Sequence, residues 1–213
     1  MSDAVGRVLA AAARGVFPPP DGSVAVVPQP GPRDAGVPAF TAHSVVFVDE
    51  DPAWVRARLA AVGRDPLAAA VNPRFLTALM DRTGRWTDGV DLLSVADRLP
   101  GEPPVGLREI EDPGHPRVVR ARAHRDDVRV WRADEGGVVV LGRGVPGRWE
   151  CAVEVDAEAR GRGLGARLAL AARHLVPGGR VWAQASPGNA RSVRAFQTAG
   201  YRPVCAEVLL TAG

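Results

Sequence analysis

Residues 160–166, with the sequence Arg-Gly-Arg-Gly-Leu-Gly-Ala, have the composition of a phosphate-binding loop. The three glycines lack a Cβ, so a ligand can approach the backbone N–H groups closely. The two arginines carry positive charges that match phosphate oxygens. A helix that begins here would add its N-terminal N–H groups and the positive end of its dipole. The segment therefore predicts a site for a pyrophosphate.

Such a loop binds an anion in this way only if a strand precedes it and a helix follows it. Residues 151–155 (Cys-Ala-Val-Glu-Val) are rich in residues that favour strands. Apolar residues then recur at helical spacing from Leu164 to Leu175. The pattern predicts a strand that ends near Asp156 and a helix that starts at Gly163.

The spacing Arg160-x-x-Gly163-x-Gly165 resembles the (Gln/Arg)-x-x-Gly-x-(Gly/Ala) signature of the GNAT superfamily, the N-acetyltransferases that use acetyl-CoA. A second block, residues 181–201, is similar to the strand, asparagine and helix that end this family's fold. Its last part, from Phe196 to Tyr201, matches the family's aromatic-x-x-x-Gly-aromatic motif. The two blocks stand in the family's order and at about its usual interval, and the resemblance covers roughly the last half of the chain.

The resemblance implies an α/β (α+β) fold of the GNAT acyl-CoA N-acyltransferase type, with a mixed central sheet flanked by helices. Residues 100–104 (Pro-Gly-Glu-Pro-Pro) cannot sustain a helix or an internal strand, which places a boundary there. We therefore predict a GNAT N-acetyltransferase domain over residues 103–213. Residues 1–102 are predicted to form an additional N-terminal α/β region of unknown role, which could be a degenerate GNAT-like half.

The resemblance also implies which residues contact acetyl-CoA, the expected co-substrate. The main chain of two strand residues would pair with the pantetheine amides, as an added strand does. The loop would hold the pyrophosphate, and three residues of the last helix would complete the site. The predicted set is Val153, Val155, Arg160, Gly161, Arg162, Gly163, Leu164, Gly165, Ala166, Asn189, Ser192 and Phe196. Asn189 could instead serve only as a helix cap, and Ser192 could be solvated.

Acyl transfer needs a neutral amine, an attack on the thioester and a proton for the departing thiolate. Many family members place a tyrosine seven residues after the asparagine to act on the sulfur. This chain has Phe196 there, so the usual acid is absent and water would supply the proton. The predicted catalytic bases are Glu154 and Glu150, because strand alternation puts both on one face. If that face is solvated, they are ordinary surface acids.

Composition excludes several other classes of protein. The chain has 213 residues and a net charge of +3, and its arginines are spread among acids, so no nucleic-acid partner is predicted. No apolar run could cross a bilayer and the N-terminus lacks a signal-peptide pattern, which favours a cytoplasmic protein with no membrane partner. Cys151 and Cys205 are predicted to be buried thiols, with no disulfide and no metal site.

We therefore predict an acyl-CoA-dependent N-acyltransferase that moves acetyl from acetyl-CoA to an amine of a small-molecule or peptide acceptor, as a monomer or homodimer without a metal. The alternative is a catalytically weak or inactive CoA-binding protein that serves as a sensor or scaffold. A dinucleotide-binding oxidoreductase is disfavoured. It needs Gly-x-Gly-x-x-Gly and an acid beyond the next strand, and the region after Gly161 has neither.

Overall fold

The computed structural model describes residues 4–63, 65 and 67–212, which fall into two compact units. One unit comprises the chain up to Leu92 together with the last strand from Val204, and the other comprises Leu93–Pro203. The division into domains 1–102 and 103–213 stays a prediction. The compact units divide the chain at other residues, because residues 93–102 pack with the second unit and the last strand packs with the first.

Within its described residues, the first unit is built from three α-helices, four strands of the N-terminal part of the chain and most of the last strand. Its elements are α1 (Ala4–Ala12), β1 (Val24–Val27), β2 (Asp34–Phe40), β3 (His43–Phe47), α2 (Pro52–Ala60), a 3-10 turn (Ala69–Val71), α3 (Pro73–Thr83), β4 (Arg85–Trp86) and most of β11 (Arg202–Ala212). β1 pairs with β3 in parallel, whereas β2 is antiparallel to both β3 and β11. The helices α2 and α3 pack against this sheet through an apolar cluster.

Side-chain caps explain where α2 and α3 begin. The Asp51 carboxylate accepts a hydrogen bond from the Ala53 N–H at 2.9 Å, and the Asn72 side-chain oxygen accepts one from the Arg74 N–H at 3.0 Å. A proline follows each cap, where its missing N–H has no cost. Gly84 ends α3 with a left-handed φ of 67°. The cap followed by proline and the glycine at the end are short-range sequence signals for the bounds of such helices.

Strand β2 is not expected from the sequence, because Gly36 and Pro38 are residues that usually weaken strands. The structure shows why Gly36 is needed here. A Cβ at this position would lie 2.3 Å from the carbonyl oxygen of Val208 and 2.8 Å from the ring of Phe47. The strand therefore uses the glycine for close packing, and burial against two neighbouring strands overrides the local preference.

The second unit contains a mixed sheet flanked by helices, as the family resemblance implies. Its elements are β5 (Asp91–Asp97), β6 (Leu107–Ile110), α4 (Pro116–His124), β7 (Asp126–Ala133), β8 (Gly137–Arg143), β9 (Trp149–Val155), a 3-10 turn (Ala157–Ala159), α5 (Leu164–Leu175), β10 (Arg180–Ala185) and α6 (Ala190–Thr198). The strand order is β5-β10-β9-β8-β7-β6. β9 and β10 are parallel, and β6 to β9 pair in antiparallel fashion.

Strand alternation gives this sheet two apolar faces. Odd-numbered residues pack with α5 and α6; they include Trp131, Val139, Leu141, Cys151 and Val153. Even-numbered residues pack with Val118 and Ala121 of α4; they include Val130, Val140 and Ala152. Both cysteines are buried, as predicted. Among the described residues, every helix is too short or too polar to cross a membrane.

Candidate functional site

Strands β9 and β10 separate after a short paired stretch. Their pairing joins Glu150 to Trp182 and Cys151 to Ala183. By contrast, β9 pairs with β8 along its whole length. Within the part of the chain that the structure describes, β9 beyond Cys151 therefore has a strand neighbour on one side only. The gap opens toward the end of β9, where the glycine-rich loop begins.

Backbone groups of the two predicted pantetheine-binding residues face this gap. The Asp156 N–H donates to the Gly136 carbonyl at 3.4 Å, on the β8 side. Because peptide groups alternate in direction along a strand, Val153 and Val155 direct theirs to the other side. The Val155 carbonyl accepts a hydrogen bond from Arg160 Nε at 3.2 Å. The edge offers the backbone groups of Val153 to a peptide-like molecule, which would have to displace Arg160 to pair with the Val155 carbonyl.

Two glycines shape the loop between β9 and α5. Gly161 has a φ of 81° and Gly163, the residue that caps α5, has a φ of 75°. L-residues with a side chain rarely adopt this conformation, so the turn favours glycine. A Cβ at either position would meet no atom of the described residues within 4 Å. The peptide groups at the N-terminus of α5 are therefore accessible, where the helix dipole attracts anions.

The other predicted loop residues divide between the surface and the core. Arg160 and Arg162 are exposed, and Leu164 is buried in the apolar cluster under the sheet. Gly165 and Ala166 are half-buried in the first turn of α5. A Cβ on Gly165 would be in ordinary contact, at 3.7 Å, with the end of β9. The loop thus presents two arginines and two glycines outward and anchors itself through one leucine.

Helix α6 begins at the predicted asparagine. The Asn189 side-chain oxygen accepts a hydrogen bond from the Ser192 N–H at 3.1 Å, so the capping role is present. Asn189 is exposed and Ser192 is half-buried. Phe196 is only 6% exposed and meets the ring of Tyr201 edge-on, with 5.0 Å between centroids. Its ring is therefore part of the core as well as a predicted ligand contact.

Tyr201, the single tyrosine of the chain, is a core residue. Its O–H donates to the Ala169 carbonyl at 3.2 Å and lies 3.3 Å from Cys151 Sγ. Burial raises the pKa of Tyr201 well above its ordinary value and that of the Cys151 thiol to about 11. Both groups are therefore buried and protonated at neutral pH.

The two predicted bases lie on the α4 face of β9, as alternation predicts, but Glu150 is enclosed. It is 2% exposed, and its two oxygens accept hydrogen bonds from Arg125 Nε and Arg148 Nε, each at 2.8 Å. The Arg148 guanidinium stacks 5.4 Å from the centroid of the Trp182 ring. Burial alone would raise the pKa of Glu150, but the charges of Arg148 and Arg125 outweigh burial and lower it. Glu150 is therefore ionised at neutral pH, and both of its oxygens are already hydrogen-bonded to arginines.

Two glycines of the β8 region make room for this buried cluster. A Cβ on Gly144 would lie 2.2 Å from Oε1 of Glu150, and one on Gly142 would lie 2.9 Å from Cβ of Arg125. Local sequence patterns do not reveal the two arginine partners of Glu150. The glycines around Arg143 were the available signal, since a Gly-Arg-Gly run at the end of a strand indicates close approach of another chain segment.

Glu154 lies in a more open environment. Its side chain is 39% exposed and accepts a hydrogen bond from Arg117 Nε at 3.1 Å. Arg117 is the second residue of α4, and His115 caps that helix by accepting the Arg117 N–H on Nδ1 at 3.1 Å. The cap thereby fixes the start of α4 beside the predicted base. Local sequence patterns do not reveal the contact of Arg117 with Glu154 either. Among the described residues, no group of three His, Cys, Asp or Glu side chains could hold a metal.

The model of the Acetyltransferase (GNAT) family matches residues 102–201. The match covers the open edge of β9, the glycine-rich loop, the cap of α6 and both candidate bases. A comparison with curated protein sequences gives no match.

Several solved structures are similar to this chain. A GCN5-related N-acetyltransferase from Kribbella flavida is 17% identical, with 99% of this chain and 95% of that chain covered and a TM-score of 0.43. A GNAT-family protein from Novosphingobium aromaticivorans is 21% identical, with coverages of 62% and 69% and a TM-score of 0.41. A tandem GNAT protein from the clavulanic acid biosynthesis pathway is 18% identical, with coverages of 75% and 69% and a TM-score of 0.38.

These structural likenesses are weak, and the assignment rests on the family match and on the motifs that lie within it. The matched segment holds the (Gln/Arg)-x-x-Gly-x-(Gly/Ala) signature and the aromatic-x-x-x-Gly-aromatic motif. The C-terminal half of the chain, over residues 102–201, is an acetyltransferase domain of the GNAT family.

Proposed function

We propose that this chain transfers the acetyl group of acetyl-CoA to an amine by direct attack of the amine on the thioester. The family match supports acyl transfer. The observation that carries the choice of donor is the gap between β9 and β10, which leads to the glycine turn at Gly161 and Gly163. We further propose that the protein acts in the cytoplasm as a monomer or homodimer.

The gap and the loop suit the two chemical parts of CoA. Pantetheine carries amides, which can pair with the backbone edge at Val153 and, by displacing Arg160 from its carbonyl, at Val155. The pyrophosphate can accept hydrogen bonds from the N–H groups at the start of α5, assisted by Arg160 and Arg162. Helix α6 lies close to that first turn, because a Cβ on Gly165 would be 3.9 Å from one of its side chains. This proximity supports ligand roles for residues 189, 192 and 196.

Glu154 is our proposed base. The acceptor ammonium gives one proton to its carboxylate, directly or through one water. The neutral nitrogen attacks the thioester carbon, so that a C–N bond forms and the C–S bond breaks. The nitrogen loses its second proton to water, water protonates the departing thiolate, and the products are an amide and free CoA. Glu150, the other candidate base, would first have to leave the two arginines that occupy its oxygens.

Phe196→Tyr tests how the thiolate is protonated. We expect this variant to transfer acyl groups at the wild-type rate or faster, because a thiolate is a good leaving group and water supplies its proton in the wild type. Steady-state rates with saturating acetyl-CoA are the measurement. Phe196→Leu is the matched control, since it tests the loss of the edge contact with Tyr201 without adding a hydroxyl.

A large loss of activity in Phe196→Tyr, with the fold and the CoA affinity intact, would contradict this account. The apolar ring would then be needed for transfer itself.

The absence of a tyrosine at position 196 also favours a second candidate, a CoA-binding protein that transfers acyl groups weakly or not at all. One experiment separates the two. The protein is incubated with acetyl-CoA and a panel of amines, and free thiol and N-acetylated product are measured together. Product that forms with stoichiometric thiol supports the transferase. Saturable binding of acetyl-CoA without product from any amine supports the binder.

A further inference from the structure

The ion pair beside the open edge of β9 indicates what kind of amine the site takes. We infer that the acceptor carries a carboxylate a few bonds from its amine, as an α-amino acid does, and that Arg117 binds this carboxylate. The inference rests on the proposed function, because it names the acceptor class of that same site.

Arg117 has hydrogen-bonding capacity left for a ligand. Its Nε donates to Glu154 at 3.1 Å, and the backbone N–H donates to His115. Within the described part of the chain, its two Nη groups donate to no other residue, and its side chain is 37% exposed. A guanidinium binds a carboxylate best through two parallel N–H groups, and Arg117 still presents an edge of that kind.

The pair is the charge complement of a zwitterion. In an α-amino acid, the ammonium and the carboxylate are attached to one carbon, so both lie within a few ångströms. Glu154 and Arg117 present the opposite charges at a similar separation, with 3.1 Å between the bonded atoms. An amine without a carboxylate would occupy Glu154 and leave the Arg117 guanidinium without a new partner. It would therefore gain less from binding.

Helix α4 adds to this preference through its charge. Residues 113–125 contain four arginines and no carboxylate, and of the four only Arg125 is mostly buried, against Glu150. The carboxylate just before this segment, that of Asp112, accepts the His115 N–H at 3.1 Å. A polycationic amine that approaches the α4 face of β9 would meet like charges, whereas an acceptor with a carboxylate would be attracted.

The same helix offers a matched control. Val118 and Ala121 pack against the sheet, and Arg117 reaches β9 from one flank of the helix. Arg122 lies on the other flank by helical spacing, and it is exposed. Arg117→Gln and Arg122→Gln therefore remove the same charge from the same helix, and only the first removes a group that contacts the proposed base.

The test compares amino acids with the corresponding amino-acid amides, which keep the amine and lose the carboxylate. We expect the wild-type kcat/KM to be at least about tenfold higher for amino acids than for their amides. Each kcat/KM is calculated with the concentration of the deprotonated amine. Arg117→Gln should bring the ratio close to one, Arg117→Lys should retain part of it, and Arg122→Gln should leave it unchanged. The acetyl-CoA affinity of all three variants should stay within about twofold of wild type.

Amides that react as well as acids with the wild type would overturn the inference. So would an Arg117→Gln variant that keeps the full preference, or an Arg122→Gln variant that loses it equally. Failure of the proposed function is recognised separately, by titration of acetyl-CoA in the absence of any amine. A protein that binds no acetyl-CoA refutes both proposals, and one that binds it but acetylates only uncharged or cationic amines refutes the acceptor class alone.

Discussion

Glu154→Gln is expected to lower kcat/KM for acyl transfer about a hundredfold or more at neutral pH. Glutamine keeps the size of the side chain and its hydrogen bond with Arg117 but cannot take a proton from the acceptor. The affinity for acetyl-CoA should change little, because Glu154 projects from the α4 face and the strand edge that faces the gap is backbone. Thiol release with acceptor varied at saturating acetyl-CoA measures the effect.

The pH dependence and a control sharpen this prediction. As the pH rises to the pKa of the acceptor amine, the amine enters neutral and needs no base. The difference in kcat/KM between Glu154→Gln and the wild type should therefore disappear. Glu109→Gln is the matched control, because Glu109 is a half-exposed carboxylate that is also paired with an arginine, Arg129. If Glu154→Gln transfers acyl groups at the rate of Glu109→Gln, Glu154 is not the base.

Glu150→Gln is expected to act on stability instead. Its carboxylate is buried between two guanidiniums, and removal of its charge leaves both without a counter-ion. Breaking a buried pair in this way costs about 3–5 kcal/mol in the free energy of unfolding. Chemical denaturation followed by fluorescence of the tryptophans measures the loss. Glu109→Gln, with an exposed pair, should lose about 1 kcal/mol or less.

Because the fold lowers the pKa of Glu150, acid should remove the stability that its carboxylate contributes. A carboxylate whose pKa falls on folding contributes stability above its unfolded pKa and loses it as the pH falls through the folded pKa. The difference between wild type and Glu150→Gln should therefore be full at pH 7. It should shrink only in acid, below the ordinary glutamate value of about 4.3. A variant as stable as Glu109→Gln at pH 7 would show that the cluster does not stabilise the fold.

Local sequence signals predicted the elements that position the site. Asp51 and Asn72, each followed by proline, are such signals, and α2 and α3 begin at these prolines. The glycine-rich loop after an apolar strand marked the turn into α5, because only a few residue types tolerate its positive φ values. These signals are short-range, so one sequence is enough to recognise them.

Such short-range signals do not predict contacts between residues that are far apart in the sequence. β2 exists because Gly36 allows two strands to approach it, which no local propensity reports. The pairs of Arg117 with Glu154 and of Arg125 with Glu150 join residues 37 and 25 positions apart. Alternation placed both glutamates on one face, but it could not tell which of them the arginines enclose. Their different surroundings depend on where α4 begins and ends over β9.

The central claim is that the loop and the open edge of β9 bind acetyl-CoA, and calorimetric titration of acetyl-CoA tests it most directly. The variants are Gly163→Asp and, as a control, Gly179→Asp. Both glycines have a positive φ, 75° and 67°, with no described atom within 4 Å of a Cβ, but Gly179 lies beyond the other end of α5. Both substitutions place a side chain at a left-handed φ, so Gly179→Asp matches the backbone strain of Gly163→Asp, and circular dichroism checks that both variants are folded.

The account predicts one binding site in the wild type, an unchanged dissociation constant in Gly179→Asp, and binding weakened at least about a hundredfold in Gly163→Asp. The weakening would come from a carboxylate that occupies the anion site and repels the pyrophosphate. At a hundred times its dissociation constant, acetyl-CoA should also add about 2.7 kcal/mol to the stability of the wild type. No binding by the wild type, or equal binding by Gly163→Asp and Gly179→Asp, would contradict the account.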